Sequence, residues 1–141
     1  MPTLGDSVTR LDRIEAELNT NLPGDLRDMT SPRAMVGSME QVLIGSVLSE
    51  SSRTKLIEWL VNSRTGLQRI RAGLPADWKA GDKTGTGANG AVNDIAIVWP
   101  PNRGPILIAI YMSESALPTE ALNAAHAEIA SAIIADFIGE L

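Results

Sequence analysis

Cysteine is absent from the 141 residues, which excludes disulfides, thiol nucleophiles and cysteine metal sites within them. Histidine is nearly absent. His126 stands alone, and it is read as excluding a Ser-His couple or a multi-histidine metal site. No metal or other cofactor is therefore expected. No block of like charge occurs, and a net charge of −5 argues against nucleic acid or an anionic membrane as the main partner. No apolar run approaches the ~20 residues of a membrane helix. The opening "MPTLGDSVTR" lacks the basic-then-apolar pattern of a signal peptide, so the chain as written is expected in the cytoplasm. Repeats and low-complexity linkers are missing too. What is present, 44% hydrophobic residues and a mean hydropathy near zero, reads as a soluble globular chain. Its length suits one domain with a real core and is too short for two ordinary ones.

Residues 1–31 are polar, with Gly5, Pro23 and Gly24, and read as loop with short helical turns. Thr30 or Ser31 is placed to cap a helix with Pro32 in its first turn, ending near Gly45. Ser49 or Ser51 is placed to cap a second, "SSRTKLIEWLVN", with Leu56, Trp59 and Leu60 on one face. "RTGLQR" breaks it. Strand patterns follow: "DWKAGDKTGTG", a turn at "ANG", "VNDIAIVW" up to Pro100-Pro101, a turn at "NRG", then "PILIAIYMS". The last is apolar on both alternating faces and reads as a central strand covered on both sides. Short connections make an antiparallel meander. An alanine-rich helix from about Thr119 to Ile138 closes the chain. Leu122, Ala125, Ile129, Ile133 and Phe137 recur at helical spacing and are expected to pack on the sheet, with His126 facing solvent. The fold class is α/β: three antiparallel strands with a covering C-terminal helix, preceded by a polar loop and two helices. The single domain, 1–141, divides into a loop region (1–31), a helical segment (32–75), strands (76–113) and the C-terminal helix (114–141).

Two segments carry chemistry. "DKTGTG" sets Lys83, Thr84, Gly85, Thr86 and Gly87 on a strand that leads into a glycine-containing turn. The ammonium supplies charge, Thr84 a donor, and the glycines let a ligand approach the backbone. The alternative is an ordinary exposed edge. "RIEAELN" holds Glu15 and Asn19, and its glutamates otherwise read as solvated helix-surface pairs. An Arg13–Asp28 ion pair would close a compact loop of roughly sixteen residues. Within that loop Glu15 would take a proton from a water that Asn19 orients.

Together these segments resemble the C-terminal half of a class A serine β-lactamase, over essentially all 141 residues. "GDSVTRLDRIEAELN" is similar to the entry of that family's Ω-loop and "PGDLRDMTSP" to its exit. "DKTGTG" matches the family's Lys-Thr-Gly strand motif, and "NDIAIVWPP…GPILIAIYMS" is similar to its next two strands. The separation of Glu15 from Lys83 also suits the family. The resemblance implies that Glu15 is the general base for the deacylating water, with Asn19 its partner. It implies that Lys83 supplies positive charge near the substrate carboxylate. Thr84 and Thr86 would donate to that carboxylate, and the Thr86 N–H would form half of an oxyanion hole. Many members carry an arginine just beyond the glycine turn, where this chain has Val92. Others place it before the strand, which Arg69 in "LQRIR" fits, with a planar fork suited to a carboxylate. Ala16 stands where the family commonly has a proline joined through a cis peptide.

The family's nucleophile is the serine of a Ser-x-x-Lys motif, followed by Ser-Asp-Asn, both before the glutamate loop in chain order. Ser-Asp-Asn is absent here. Ser52-Arg53-Thr54-Lys55 has the first spacing, but it follows Glu15 and is read as a surface helix. The expectation is a fragment of a β-lactam-hydrolysing serine enzyme, inactive alone, whose parent is periplasmic or secreted. Its expected partners are a β-lactam and either the missing N-terminal half or further copies of itself, with strand or helix exchange. The alternative is a non-catalytic stable fragment, or a binding or oligomerisation module.

Overall fold

The computed structural model describes residues 4–139. Helix α1 spans Pro32–Leu43 and α2 spans Glu50–Val61. Strands β1 (Lys79–Thr86), β2 (Val92–Trp99) and β3 (Ile106–Met112) follow, then α3, Thr119–Gly139. Short 3-10 turns lie at Glu17–Thr20 and Ile70–Gly73.

Both early helices begin where a side-chain acceptor meets an orphan N–H. Ser31 Oγ accepts from Ala34 N at 3.2 Å, ahead of Pro32, and Ser49 Oγ accepts from Ser52 N at 3.2 Å. The end of α1 closes through Gly45 N, which donates to Glu40 O at 2.8 Å. Arg53 Nη1 then donates to Ile44 O and Gly45 O, joining the start of α2 to the end of α1.

The sheet runs β1-β2-β3, antiparallel throughout, and is buried on both faces. Ala80, Ala96, Val98, Ile108 and Ile110 meet Ile70, Ala130 and Ile134 on one side. On the other, Ile97 meets Met39 and Leu43 of α1, with Leu56, Ile57 and Leu60 of α2 packed around them. Fully buried aliphatics such as Ile97 and Val98 contribute about 1.5–3 kcal/mol each.

The structure corrects five expectations. The central strand is β2, while β3 is terminal in the sheet. Apolar residues on both faces of β3 report layers above and below it, not neighbours on both edges. On α2, Ile57 packs inward, and Trp59 is 64% exposed with Lys55 Nζ 5.7 Å from its ring. On α3 the buried row is Leu122, His126, Ala130 and Ile134, at i+4 spacing, whereas Ile129, Ile133 and Phe137 face outward. The helix is apolar nearly all round, so periodicity could not choose its inner face. His126 is fully buried rather than solvent-facing, its Nδ1 2.8 Å from Leu122 O and its Nε2 3.3 Å from Ile110 O. Two backbone carbonyls thus stand in for water around the imidazole. Finally, Thr119–Ile138 is long and apolar enough to cross a membrane by length and composition, the one such helix among the described residues. Its isoleucines and alanines together set that hydropathy, and its inner row packs on the sheet.

The seat of α3 is tight. A Cβ on Gly73 would stand 2.1 Å from Ala127 O and 2.9 Å from Ser131 N, both α3 backbone. Gly73→Ala is expected to cost about 1–3 kcal/mol, as overpacking does, read as a lower denaturation midpoint. An unchanged midpoint would contradict this packing.

Candidate active site

The loop from Arg13 to Asp28 is closed at its neck by one carboxylate. Asp28 Oδ1 accepts from Asp12 N at 2.6 Å and Arg13 N at 2.9 Å, while Oδ2 takes Arg13 Nε at 2.5 Å. Asp12 Oδ2 returns the link, accepting from Asp28 N at 3.1 Å. A left-handed backbone at Asp28, φ 54°, aims the carboxylate back across the neck. Its side chain is 5% exposed and that of Arg13 17%, so water screens the pair poorly. Burial alone would raise the Asp28 pKa. The Arg13 guanidinium and the two backbone N–H groups outweigh it and hold the carboxyl below its ordinary value. Apolar burial contributes little, since Leu11 is 72% and Leu22 52% exposed.

Within the loop Asn19 Nδ2 donates to Glu15 Oε2 at 2.5 Å, and the Glu15–Ala16 peptide bond is cis. The loop then docks on the turn after β1. Ala88 N donates to Asn19 O at 3.1 Å. Asn89 Nδ2 donates to Thr20 O at 2.9 Å and Asn21 O at 3.1 Å, and Asn21 Nδ2 donates to Ser113 Oγ at 2.9 Å. Gly90, at φ 69°, supplies the left-handed residue the turn requires. Glu15 and Asn19 are thereby carried to the end of the Lys83–Thr86 strand.

On that strand Lys83 is exposed and its Nζ donates to Thr84 O at 2.5 Å. Thr84 Oγ1 donates to Thr65 Oγ1 at 2.8 Å. Lys83, Thr84 and Gly85 line an open cleft with Asp28, Ser31 and Tyr111. Arg69 is not a surface residue. It is 5% exposed, and it donates from Nη2 to Thr86 Oγ1 at 2.7 Å, from Nη1 to Gly85 O and Asn93 O, and from Nε to Asn123 Oδ1. It reaches the strip through the Thr86 hydroxyl. Val92 is buried. Ser52 enters none of the loop and strand contacts described above. Its hydroxyl accepts from Ser49 Oγ at 3.0 Å on an exposed helix start, and Lys55 sits over Trp59.

Sequence reasoning passed over Asn21, Asn89 and Ser113, which hold the loop down, and over Asp82, Asp94 and Arg71 beneath the strand. For Asp94 a signal exists: a lone carboxylate in a strand that is otherwise apolar but for Asn93. The asparagine contacts span 67 to 92 residues and leave no local pattern.

A carboxylate with an amide partner thus stands next to the turn that ends a strand carrying a lysine and two threonine hydroxyls. The family model described as the Beta-lactamase enzyme family matches residues 1–137, and the chain belongs to that family, in its class A branch. It is 47% identical over 137 residues to Beta-lactamase AST-1 of Nocardia asteroides, covering 97% of this chain and 44% of that protein. It is 46% identical to Carbapenem-hydrolyzing beta-lactamase KPC of Klebsiella oxytoca, covering 92% and 46%. The solved class A β-lactamase of the last common ancestor of Gram-negative bacteria (GNCA4) superposes with TM-score 0.95 at 54% identity, covering 96% of this chain and 52% of that one. PenP of Rhodopseudomonas palustris, titled a putative class A enzyme, gives 0.93 at 45%, covering 96% and 52%. The chain thus spans about half the length of the curated relatives it matches. The α/β fold and the three-stranded antiparallel sheet are those of the corresponding part of these structures.

Asp28→Asn is expected to open the neck. Protease cleavage between residues 13 and 28 should accelerate by about tenfold, the size of a lost charge-assisted hydrogen bond. The lowered Asp28 pKa sets the sign with pH. Its stabilisation is present above the ordinary aspartate pKa of about 3.9 and is lost as pH falls below it. Acid should therefore weaken the neck in the wild type, and the smaller acid effect left in Asp28→Asn should report Asp12 and Asp25, whose carboxyls are also held below their ordinary values. Equal cleavage rates at neutral pH would show that the loop is held by other contacts.

Proposed function

We propose that these residues supply the deacylating and carboxylate-binding parts of a β-lactam-hydrolysing serine enzyme. The observation that carries this reading is the Asn19–Glu15 contact, set one hydrogen bond away from the turn that ends the Lys83–Thr86 strand. Glu15 is the general base that takes a proton from water as it attacks an acyl-serine, and Asn19 orients that water. Lys83 supplies the positive field for the substrate carboxylate. Thr84 and Thr86 donate hydrogen bonds to it, and Arg69 holds the Thr86 hydroxyl. The Thr86 N–H supplies one oxyanion donor. The acylated serine comes from residues outside these 141, which also complete the fold, and the intact enzyme acts after export.

A second reading, a non-catalytic module that associates with itself, draws on the outward row Ile129, Ile133 and Phe137 of α3. Among the described residues, both outer edges of the sheet, on β1 and on β3, also lack a partner strand.

Hydrolysis of a chromogenic cephalosporin separates the two. The chain alone should be inactive, and addition of a separately made N-terminal part of a class A enzyme should restore turnover. No turnover in the mixture favours the module. Turnover by the chain alone, abolished by Ser52→Ala, would overturn the assignment of the nucleophile elsewhere. In the complemented enzyme Asp28→Asn should slow deacylation by on the order of a hundredfold through misplacement of Glu15. Glu15→Gln should slow it further, with acyl-enzyme accumulating in the mass spectrum.

A further inference from the structure

A second group of charges is buried on the sheet face that Thr84 shares, and Asp94 borders the cleft. Asp82 and Asp94 are 1% and 0% exposed. In the strand register Asp94 faces Thr84 and Asp82 faces Ala96, which sets the two acids as diagonal neighbours. Two arginines approach, and both are committed elsewhere. Arg71 pairs with Asp82 through Nε and spends Nη2 on Leu60 O and Val61 O at the end of α2. Arg69 donates to Gly85 O, Asn93 O, Thr86 Oγ1 and Asn123 Oδ1. Asp94 receives one hydrogen bond, from Ile70 N to Oδ2 at 3.2 Å. Its Oδ1 is buried with no partner at all. An ionised carboxylate in that position would be a buried charge beside a second acid, offset only by one N–H and by two arginines whose donors are already engaged. A carboxylic acid there costs far less.

We propose that Asp94 is held as the neutral carboxylic acid and is a positioning residue for Thr86, acting through the Arg69–Ile70 segment that its Oδ2 anchors. The chain of contact is short. Asp94 fixes Ile70 N, the adjacent Arg69 grips Thr86 Oγ1, and the same guanidinium ties β1 to β2 through Gly85 O and Asn93 O. Ionisation would place a second negative charge next to Asp82 and pull on both guanidinium groups. Its first effect would be to draw Arg69 away from Thr86.

The charged and titratable groups around Asp94 are Asp82 from β1, and Arg69 and Arg71 from the segment that carries Ile70. His126 of α3 is the fourth, its Nε2 3.3 Å from the carbonyl of Ile110, the β3 residue paired with Asp94. Burial, reinforced by the charge of Asp82, pushes the Asp94 carboxyl up to about 7, against the Ile70 N–H and the two arginines. Because the folded pKa is raised above the unfolded value of about 3.9, the associated stability is fully present below pH 4. It is lost as pH rises through about 7.

The protonation is independent of the role proposed above for Thr86; its consequence for substrate rests on that role. The test therefore uses no activity. In the chain labelled with 13C at the aspartate carboxyls, the Asp94 resonance should titrate with a midpoint near neutrality. The Arg69 Nε–H resonance should move with that same midpoint, and its movement should be absent in Asp94→Asn. Between pH 5 and pH 8 the unfolding equilibrium of Asp94→Asn should shift toward the folded state, relative to wild type, by at least about tenfold, one pKa unit's worth. An Asp94 midpoint in the ordinary aspartate range overturns the proposal. So does an Arg69 resonance that stays still in the wild type, or one that still moves in Asp94→Asn. Failure of complementation would remove the functional role of Thr86 and leave these titrations as they are.

Discussion

The carboxylate of Asp28 is the joint on which the site depends. Three N–H donors converge on it, two from the backbone of Asp12 and Arg13 and one from the Arg13 guanidinium, and they turn a polar segment with little to bury into a closed loop. Its ordering entropy is offset by charge-assisted hydrogen bonds in a poorly hydrated neck rather than by a core. Once closed, the loop presents Asn19 O and the Thr20 and Asn21 carbonyls to the 88–89 turn. Glu15 is thus placed by hydrogen bonds from the β1–β2 turn, one from the Ala88 N–H and two from the Asn89 side chain, and the sheet behind that turn is buried on both faces.

Charge around the β1 strand is divided between groups the protein engages internally and one left on the open side. Buried Arg69 and half-buried Arg71 are both consumed by the protein: Arg71 by Asp82 and the last carbonyls of α2, Arg69 by the strand itself. Lys83, exposed and among the described residues donating to Thr84 O, is left as a cation on the open side. A flexible ammonium facing solvent is free to meet an incoming anion, whereas the planar guanidinium of Arg69 is better suited to hold backbone and a hydroxyl in fixed register.

Much of this was legible in the residues. Ser31-Pro32 and Ser49 announced the starts of two helices because capping is local chemistry. The β-strands were bounded by glycine, asparagine and proline turns. The Arg13–Asp28 ion pair and the Glu15–Asn19 contact follow from spacing within one loop. Positions decided by distant packing were not legible. The inner face of α3 was misassigned because alanine and isoleucine surround the helix, and only contact with Ile70 and the sheet selects Ala130 and Ile134. His126 was taken as solvent-facing because nothing near it in sequence reveals the Ile110 carbonyl that its ring meets. Trp59 was placed inside on hydrophobicity, yet it lies flat under Lys55 at the surface. Arg69 was identified as a candidate, but its burial under the strand depends on Asn123, 54 residues away.

The most direct measurement is the location of the acyl group. With Glu15→Gln in the complemented enzyme, a β-lactam should form a stable covalent adduct, and peptide mapping by mass spectrometry gives its site. The account predicts an adduct on a serine outside these 141 residues and none on this chain. An adduct on any serine of this chain, Ser52 included, would contradict it.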